Sequence, residues 1–377
     1  MENKNIPLSH WYFRALNNQD IHTCTTLDLS RIRVEELFDG HNCQKFIRQY
    51  FEHLTATSSK NESTTKFANI LNKITEFRAQ HTVASFLLGI AVKEKLSLDV
   101  RDWIRIYDPY SSDPSFGFFW SLICLTHDVA YYYERNSNKL LPSMRNIEDF
   151  CAKNNIHYNL LDYSNKQLLI QQYYLYRREQ DNKIDHGVTG ALLIFDALMA
   201  FYEENKTNPS ANLCGIHLRK NFPEFCLKIS ETIALHNMWR APKGKEHLYE
   251  DYQLYELIPN STYNHIINYK DDTLLFLLGL IDTIDPIKAF CNTEGRSTRM
   301  PVNLVLNEFY FGFADRSGIK KISMQFDQPE FAKRYRDNLE DLVNWLSVDV
   351  KTTDCTAEIH LKPSLANSNF SNELQAG

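Results

Sequence analysis

A mainly α-helical protein, a helical bundle followed by a small α+β unit, is predicted by three features of this 377-residue chain. Apolar residues recur every third or fourth position over much of residues 66–285. Helix-start and helix-stop residues punctuate those runs at Asp185, Phe222-Pro223, Asp272 and Pro286. After Pro301 the spacing changes to strand-like alternation around one amphipathic helix. With 43% apolar residues the chain can build a sizeable core.

Residues 1–64 mix short segments without a clear period and read as an N-terminal helical or irregular segment. The stretch TATSSKNEST, residues 55–64, reads as a polar loop and a soft boundary. From Lys66, the residues Phe67, Ile70, Leu71, Ile74, Phe77, His81, Ala84, Leu88 and Val92 trace one helical stripe, which places His81 on a buried face. A second helix, with Asp113 as N-cap and Pro114 at the first position, puts Trp120, Ile123, His127 and Tyr131 on one face. Asp128 then follows His127 by about 100° of rotation, so the two side chains converge beside that helix. The polar, Tyr- and Asn-rich residues 132–183 read as an insertion carrying one helix-like piece, 167–180.

A third helix opens at Asp185-His186, where Gly187 and Gly190 allow close packing. A fourth runs from Phe222-Pro223 through Phe225, Ile229, Ile233 and His236 and ends before Ala241-Pro242. The fifth, DTLLFLLGLIDTID at 272–285, sets Asp282 among leucines and is stopped by Pro286. Residues 65–295 thus form the helical domain. Residues 296–362 form the α+β appendage, with strand-like runs at 305–313, 319–326 and 356–361 around a helix at 329–346, and 363–377 form a polar, mobile tail.

A net charge of −6 argues against a general nucleic-acid binder, which needs a basic surface to displace counterions, although a local basic pocket stays open. Eight cysteines never fall in a C-x-x-C spacing, so neither a zinc finger nor a disulfide framework is indicated. The N-terminus lacks a signal pattern, and the longest apolar run, 274–281, is far short of the roughly 20 residues of a membrane span. A reduced, cytoplasmic, non-membrane protein is expected, and nothing indicates an oligomeric state.

The five helices present, in chain order, His81, His127-Asp128, His186, His236 and Asp282 on inward faces. Burying such groups unpaired costs several kcal/mol, whereas a divalent cation turns them into satisfied ligands. Asp285 is the rival to Asp282, and His217, in a loop-like stretch, reads as a surface residue. An imidazole-rich N/O site favours Mn or Fe, with Co, Ni, Zn or Mg as alternatives.

This order, H…HD…H…H…D, resembles the HD-domain metal-dependent phosphohydrolase superfamily, in its two-metal branch. The resemblance rests on RAQHTVA around His81, LTHDV around His127-Asp128, DHGVTGA around His186 and LIDTID around Asp282, and covers roughly residues 65–290. It implies an HD-type bundle in which His81, His127, Asp128 and Asp282 hold one divalent metal. Asp128 bridges to a second metal at His186 and His236, and a metal-bridged hydroxide attacks phosphorus. Asp128, His186 and His236 are the implied catalytic set. The implied activity is a phosphodiesterase acting on a small linear or cyclic nucleotide. Two-metal members often carry a further histidine where this chain has Asn237, whose amide is a weaker ligand. A mononuclear deoxynucleoside triphosphohydrolase, sharing only H…HD…D, and a non-catalytic nucleotide sensor are the alternatives.

Arg240, Lys243 and Lys245, in MWRAPKGKEH, follow His236 and could reach a substrate phosphate, or form an ordinary solvated loop. Asn237 counts with them as a substrate-facing group. Arg78, one turn before His81, could pair with a phosphate or with a carboxylate such as Asp185. The aromatic groups Tyr131–Tyr133 and Tyr173, Tyr174 and Tyr176 could stack a nucleobase or pack the insertion.

Overall fold

The computed structural model describes residues 5–52, 61–99, 116–208, 212–213, 216–218, 220–259, 266–291, 300–316, 318–326 and 329–363. Asp113, Pro114, most of the 55–64 loop and the 364–377 tail lie outside the described residues, as does the side chain of His217. The chain is mainly helical, with a five-stranded antiparallel sheet near the C-terminus and a two-strand pair, Asn212–Leu213 with Ile216–His217, where a loop was expected around His217.

The helices that matter for the site are α1 (Leu8–Leu16), α2 (Glu62–Leu71), α3 (Glu76–Lys95), α4 (Phe116–Cys124), α5 (Tyr131–Arg135), α6 (Gln167–Gln180), α7 (His186–Asn205), α8 (Phe222–Leu235), α9 (Thr273–Ile284), α10 (Val302–Glu308) and α11 (Pro329–Trp345). Central α3 is 20 residues long, and every residue from Ala79 to Val92 is buried, because α1, α4 and α9 pack against it from different sides. A helix covered all round needs no polar face, so its sequence shows little amphipathic bias. Glu76 in its first turn and Lys93 and Lys95 in its last complement the helix dipole.

Two helix starts expected at Asp185 and Asp272 are capped by those residues, each lying one position before its helix. The Asp185 carboxylate accepts from the Val188 amide at 2.9 Å and starts α7. Asp272 accepts from the Leu275 amide at 3.1 Å and starts α9. Gly187 lets α7 approach α8 closely: a methyl group there would stand 3.1 Å from the Ile233 carbonyl oxygen and 3.2 Å from Asn237 Cβ.

The sheet has the order β1-β2-β3-β5-β4, with β1 Ile6–Pro7, β2 Phe309–Arg316, β3 Ile319–Phe326, β4 Val348–Thr352 and β5 Thr356–Leu361, all neighbours antiparallel. β1, just before α1, pairs with β2 through Ile6 and Phe311, so it joins the C-terminal sheet. Helix α11 packs on α9, where Trp345 fills the place a side chain at Gly279 would occupy: a Cβ there would lie 2.3 Å from its ring.

Four expectations about element bounds are corrected. The stripe from residue 66 to 92 is two helices, broken between Leu71 and Glu76, because Asn72 closes α2 and Thr75 opens α3. Residues 305–313 are not a single strand: α10 runs to Glu308 and the strand starts at Phe309. The fourth helix stops at Leu235, with His236 as its C-cap residue. The 132–183 segment carries more helix than the one expected piece, since α5, Ser137–Leu140 and Ile147–Lys153 precede α6. Six described cysteines are buried free thiols and Cys355 is half-buried. Among the described residues, no helix is long and apolar enough to cross a membrane.

Candidate metal centre

The His127-Asp128 pair is not on a helix. Helix α4 ends at Cys124, and the chain continues through turns whose bonds run from Val129 N to Thr126 O and from Tyr131 N to Asp128 O, both 3.1 Å. Two side chains satisfy the end of α4: the Thr126 hydroxyl donates to the Leu122 carbonyl, and His127 Nδ1 donates to the Cys124 carbonyl at 2.7 Å. The imidazole is therefore oriented by the helix end. The same device recurs at the end of α8, where His236 Nδ1 donates to the Ile233 carbonyl at 2.5 Å.

All four histidines are held in this way, two by carbonyls and two by carboxylates. His81 Nδ1 bonds Asp285 Oδ2 at 2.7 Å, and His186 Nδ1 bonds Glu134 Oε2. A carbonyl or carboxylate only accepts, so each Nδ1 carries the proton and each Nε2 is the atom left for coordination. The rings form a chain, with centroids 5.3 Å apart for His81 and His127, 5.2 Å for His127 and His236, and 5.3 Å for His236 and His186.

His81, His127 and Asp128 form one buried group that could hold a metal ion, and Asp128, His186 and His236 form another. Asp128 belongs to both. Its Oδ2 lies 3.7 Å from His81 Nε2 and 3.9 Å from His127 Nε2, while its Oδ1 lies 3.3 Å from His186 Nε2. Asp282 Oδ1 lies beside this group, 2.8 Å from His81 Nε2 and 3.6 Å from His127 Nε2, with both its oxygens also bound by Lys288 Nζ, and the two Nε2 atoms are 3.4 Å apart. Ligand atoms about 2.1 Å from one cation stand about 3.0 Å apart at neighbouring corners of an octahedron and about 3.4 Å apart in a tetrahedron. The donor set and its spacing fit a divalent cation.

The electrostatics separate the histidines. Burial, reinforced by the neighbouring His127 and His186, pulls His236 down to about 3, so it is a neutral donor. Burial also opposes charging of His81, but hydrogen bonds to Asp282 and Asp285 outweigh it and raise its pKa. A cation entering that group displaces the extra proton. His186 is raised in the same way against its burial, chiefly by Glu134, whose own carboxyl is brought down to about 2 despite burial. Burial disfavours ionised Asp128 and Asp282, yet Arg78 and the histidines hold the first, and Lys288 and the histidines the second, well below the usual carboxylate range.

The remaining candidates fall in different places. Arg78 donates to Asp128 Oδ2 at 3.0 Å and lies over the Tyr131 ring at 3.3 Å, so its carboxylate partner is Asp128, while Asp185 is engaged by Arg177. Asn237 donates its amide to Asp185 at 2.8 Å. Arg240 donates to the Asn344 carbonyl at the end of α11. Lys243 and Lys245 are exposed on the loop after His236. Tyr173, Tyr174 and Tyr176 are buried packing residues, and Tyr173 hydroxyl donates to the Asn237 carbonyl at 2.7 Å.

Asp285 supports His81 from behind, and Asp282 is the carboxylate that faces the cluster. Sequence reasoning did not single out Glu134 or Lys288. Lys288 Nζ reaches both Asp282 oxygens at 2.6 and 2.7 Å. Its spacing of six residues from Asp282 offered a weak signal; Glu134, inside a segment without periodicity, offered none. No family model, curated protein or solved structure matches this chain.

Proposed function

We propose that this protein is a metal-dependent phosphohydrolase of the HD-domain type, a phosphodiesterase acting on a small nucleotide-type phosphoester, linear or cyclic. The observation that carries the reading is Asp128, one carboxylate common to two buried ligand groups. His81, His127, Asp128 and Asp282 would hold one divalent cation and Asp128, His186 and His236 a second, with Mn or Fe favoured by the imidazole-rich donor set. Two such cations acidify water and neutralise charge on phosphoryl oxygens, the chemistry that displacement at a phosphodiester needs. The chain's own groups fix every imidazole through Nδ1 and hold Arg78 and Lys288 beside the two ligand carboxylates. Chain order, local motifs and this arrangement support the family resemblance together.

Hydrolysis of bis(p-nitrophenyl) phosphate against p-nitrophenyl phosphate, after loading with Mn²⁺ or Fe²⁺, tests the reading without a guess at the natural substrate. Metal-dependent cleavage of the diester is expected, falling by more than about 100-fold in His186→Ala. A fully metal-loaded protein that cleaves neither compound, nor any cyclic or linear nucleotide in a following screen, would refute it.

A further inference from the structure

The supports of the two ligand groups come from different parts of the chain. His81 and His127 are held from within the helical core, by Asp285 just after α9 and by the last carbonyl of α4. His186 is held by Glu134 on α5, in the 132–183 segment. Glu134 is itself steadied from the same segment: its Oε1 lies 3.5 Å from Arg177 Nη2 on α6 and 3.6 Å from Lys183 Nζ. The same Arg177 places Nε 3.4 Å from Asp185 Oδ2, and Asp185 both starts α7 beneath His186 and accepts from Asn237, the neighbour of His236. One guanidinium, hydrogen-bonded to Asp181 at 2.5 Å, thus lies beside both Glu134, which holds His186, and Asp185, which starts α7 and binds Asn237, while His236 itself is held by the Ile233 carbonyl.

We infer that Glu134 and Arg177 are positioning residues that set the affinity of the second metal site, so that residues 132–183 control whether the protein carries one ion or two. The inference rests on the two-metal reading above. Neither residue touches the ligand atoms Nε2 of His186 or the carboxylate of Asp128. They act by fixing the imidazole's tautomer and aim, and by anchoring the start of α7. Groups of this kind change metal affinity by about 10- to 100-fold when removed. The first site, whose supports lie elsewhere, is independent of them.

Titration of metal-stripped full-length protein with Co²⁺, followed by visible absorption and by calorimetry, tests this on the ions alone. Wild type is expected to take two ions. Glu134→Ala should retain the first at unchanged affinity and bind the second about 10- to 100-fold more weakly, with Glu134→Gln, which keeps an acceptor for Nδ1, intermediate. Arg177→Met should weaken the same second event, and in combination with Glu134→Ala should add less than the sum of the two. A merely structural role would lower both affinities together, with additive effects and no rescue by Gln. Two ions in Glu134→Ala at wild-type affinities would overturn the inference while leaving the two-metal reading intact. A wild type that binds no Co²⁺ would remove both.

Discussion

Asp128 and His186 meet at 3.3 Å through Oδ1 and Nε2, while the other oxygen of the same carboxylate faces His81 and the Arg78 guanidinium. A side chain 2% exposed on a turn after α4 is thereby common to both ligand groups.

Replacing Asp128 should empty both groups at once. Asp128→Asn keeps the volume and is expected to lose both ions, whereas Asp128→Ala should in addition strand the Arg78 guanidinium, whose side chain is 16% exposed. Removing one member of a largely buried pair costs on the order of 3 kcal/mol. Urea unfolding of the metal-free proteins should therefore rank Asp128→Ala below Asp128→Asn, and equal stabilities would show that Arg78 finds another partner.

Asp285 makes a separate demand on the first group. Its Oδ2 bonds His81 Nδ1 at 2.7 Å, and its two oxygens also accept the Ile287 and Lys288 amides at 3.0 and 3.1 Å. Asp285→Asn is expected to weaken the first ion by about 10- to 100-fold while sparing the second. Calorimetric titration separates the two events; a loss confined to the second ion would reverse the assignment of supports.

Lys288 should work in the opposite direction. Its ammonium neutralises Asp282, the carboxylate that lies beside the first group, so an entering cation competes with it. Lys288→Met is expected to tighten the first ion by about fivefold, a figure limited by the exposure of the lysine. Weaker binding in this variant would mean that Lys288 instead holds Asp282 in its ligating position.

Metal-free protein should show an acid sensitivity that belongs to His236. Burial and two neighbouring imidazoles bring its folded pKa down to about 3, against about 6.5 in an unfolded chain. The unfolded state thus binds more protons in that interval. The contribution is complete above about pH 6.5 and is lost as pH falls, by up to about 1.4 kcal/mol per pH unit. His81 and His186, raised in the fold, act with the opposite sign, stabilising below the unfolded value and losing that as pH rises through their folded values. They are present in both proteins compared. Asp128 and Asp282, lowered in the fold, lose their contribution as pH falls through the ordinary carboxylate range and below. In chelator-treated protein, His236→Gln is expected to lose less stability than wild type between about pH 7 and about pH 5. Parallel losses would show that His236 is not held neutral.

Much of the site was legible because its residues sit on periodic apolar stripes. His81 and Asp282 could be placed by counting turns, and His186 by the helix start read at Asp185-His186. The conformation of His127-Asp128 was not legible, since Leu125, Val129 and Ala130 continue the apolar pattern through turns as they would through a helix, and only the His127 side chain on the Cys124 carbonyl distinguishes the two. Glu134 was hidden for a different reason: its role depends on the packing of α5 against α7, a contact that no local pattern encodes. The pairing of Ile6 with Phe311 is a long-range contact of the same kind. The strands Ile319–Phe326 and Thr356–Leu361, by contrast, followed from simple alternation.

The most direct test of the shared-carboxylate centre is metal content. Tag-free wild type and His186→Ala, reconstituted with Mn²⁺ or Fe²⁺ and desalted, would be compared by plasma mass spectrometry. About two ions per chain in wild type and about one in the variant are expected from two groups joined at Asp128. No bound metal after reconstitution, or a content that His186→Ala leaves unchanged, would contradict it.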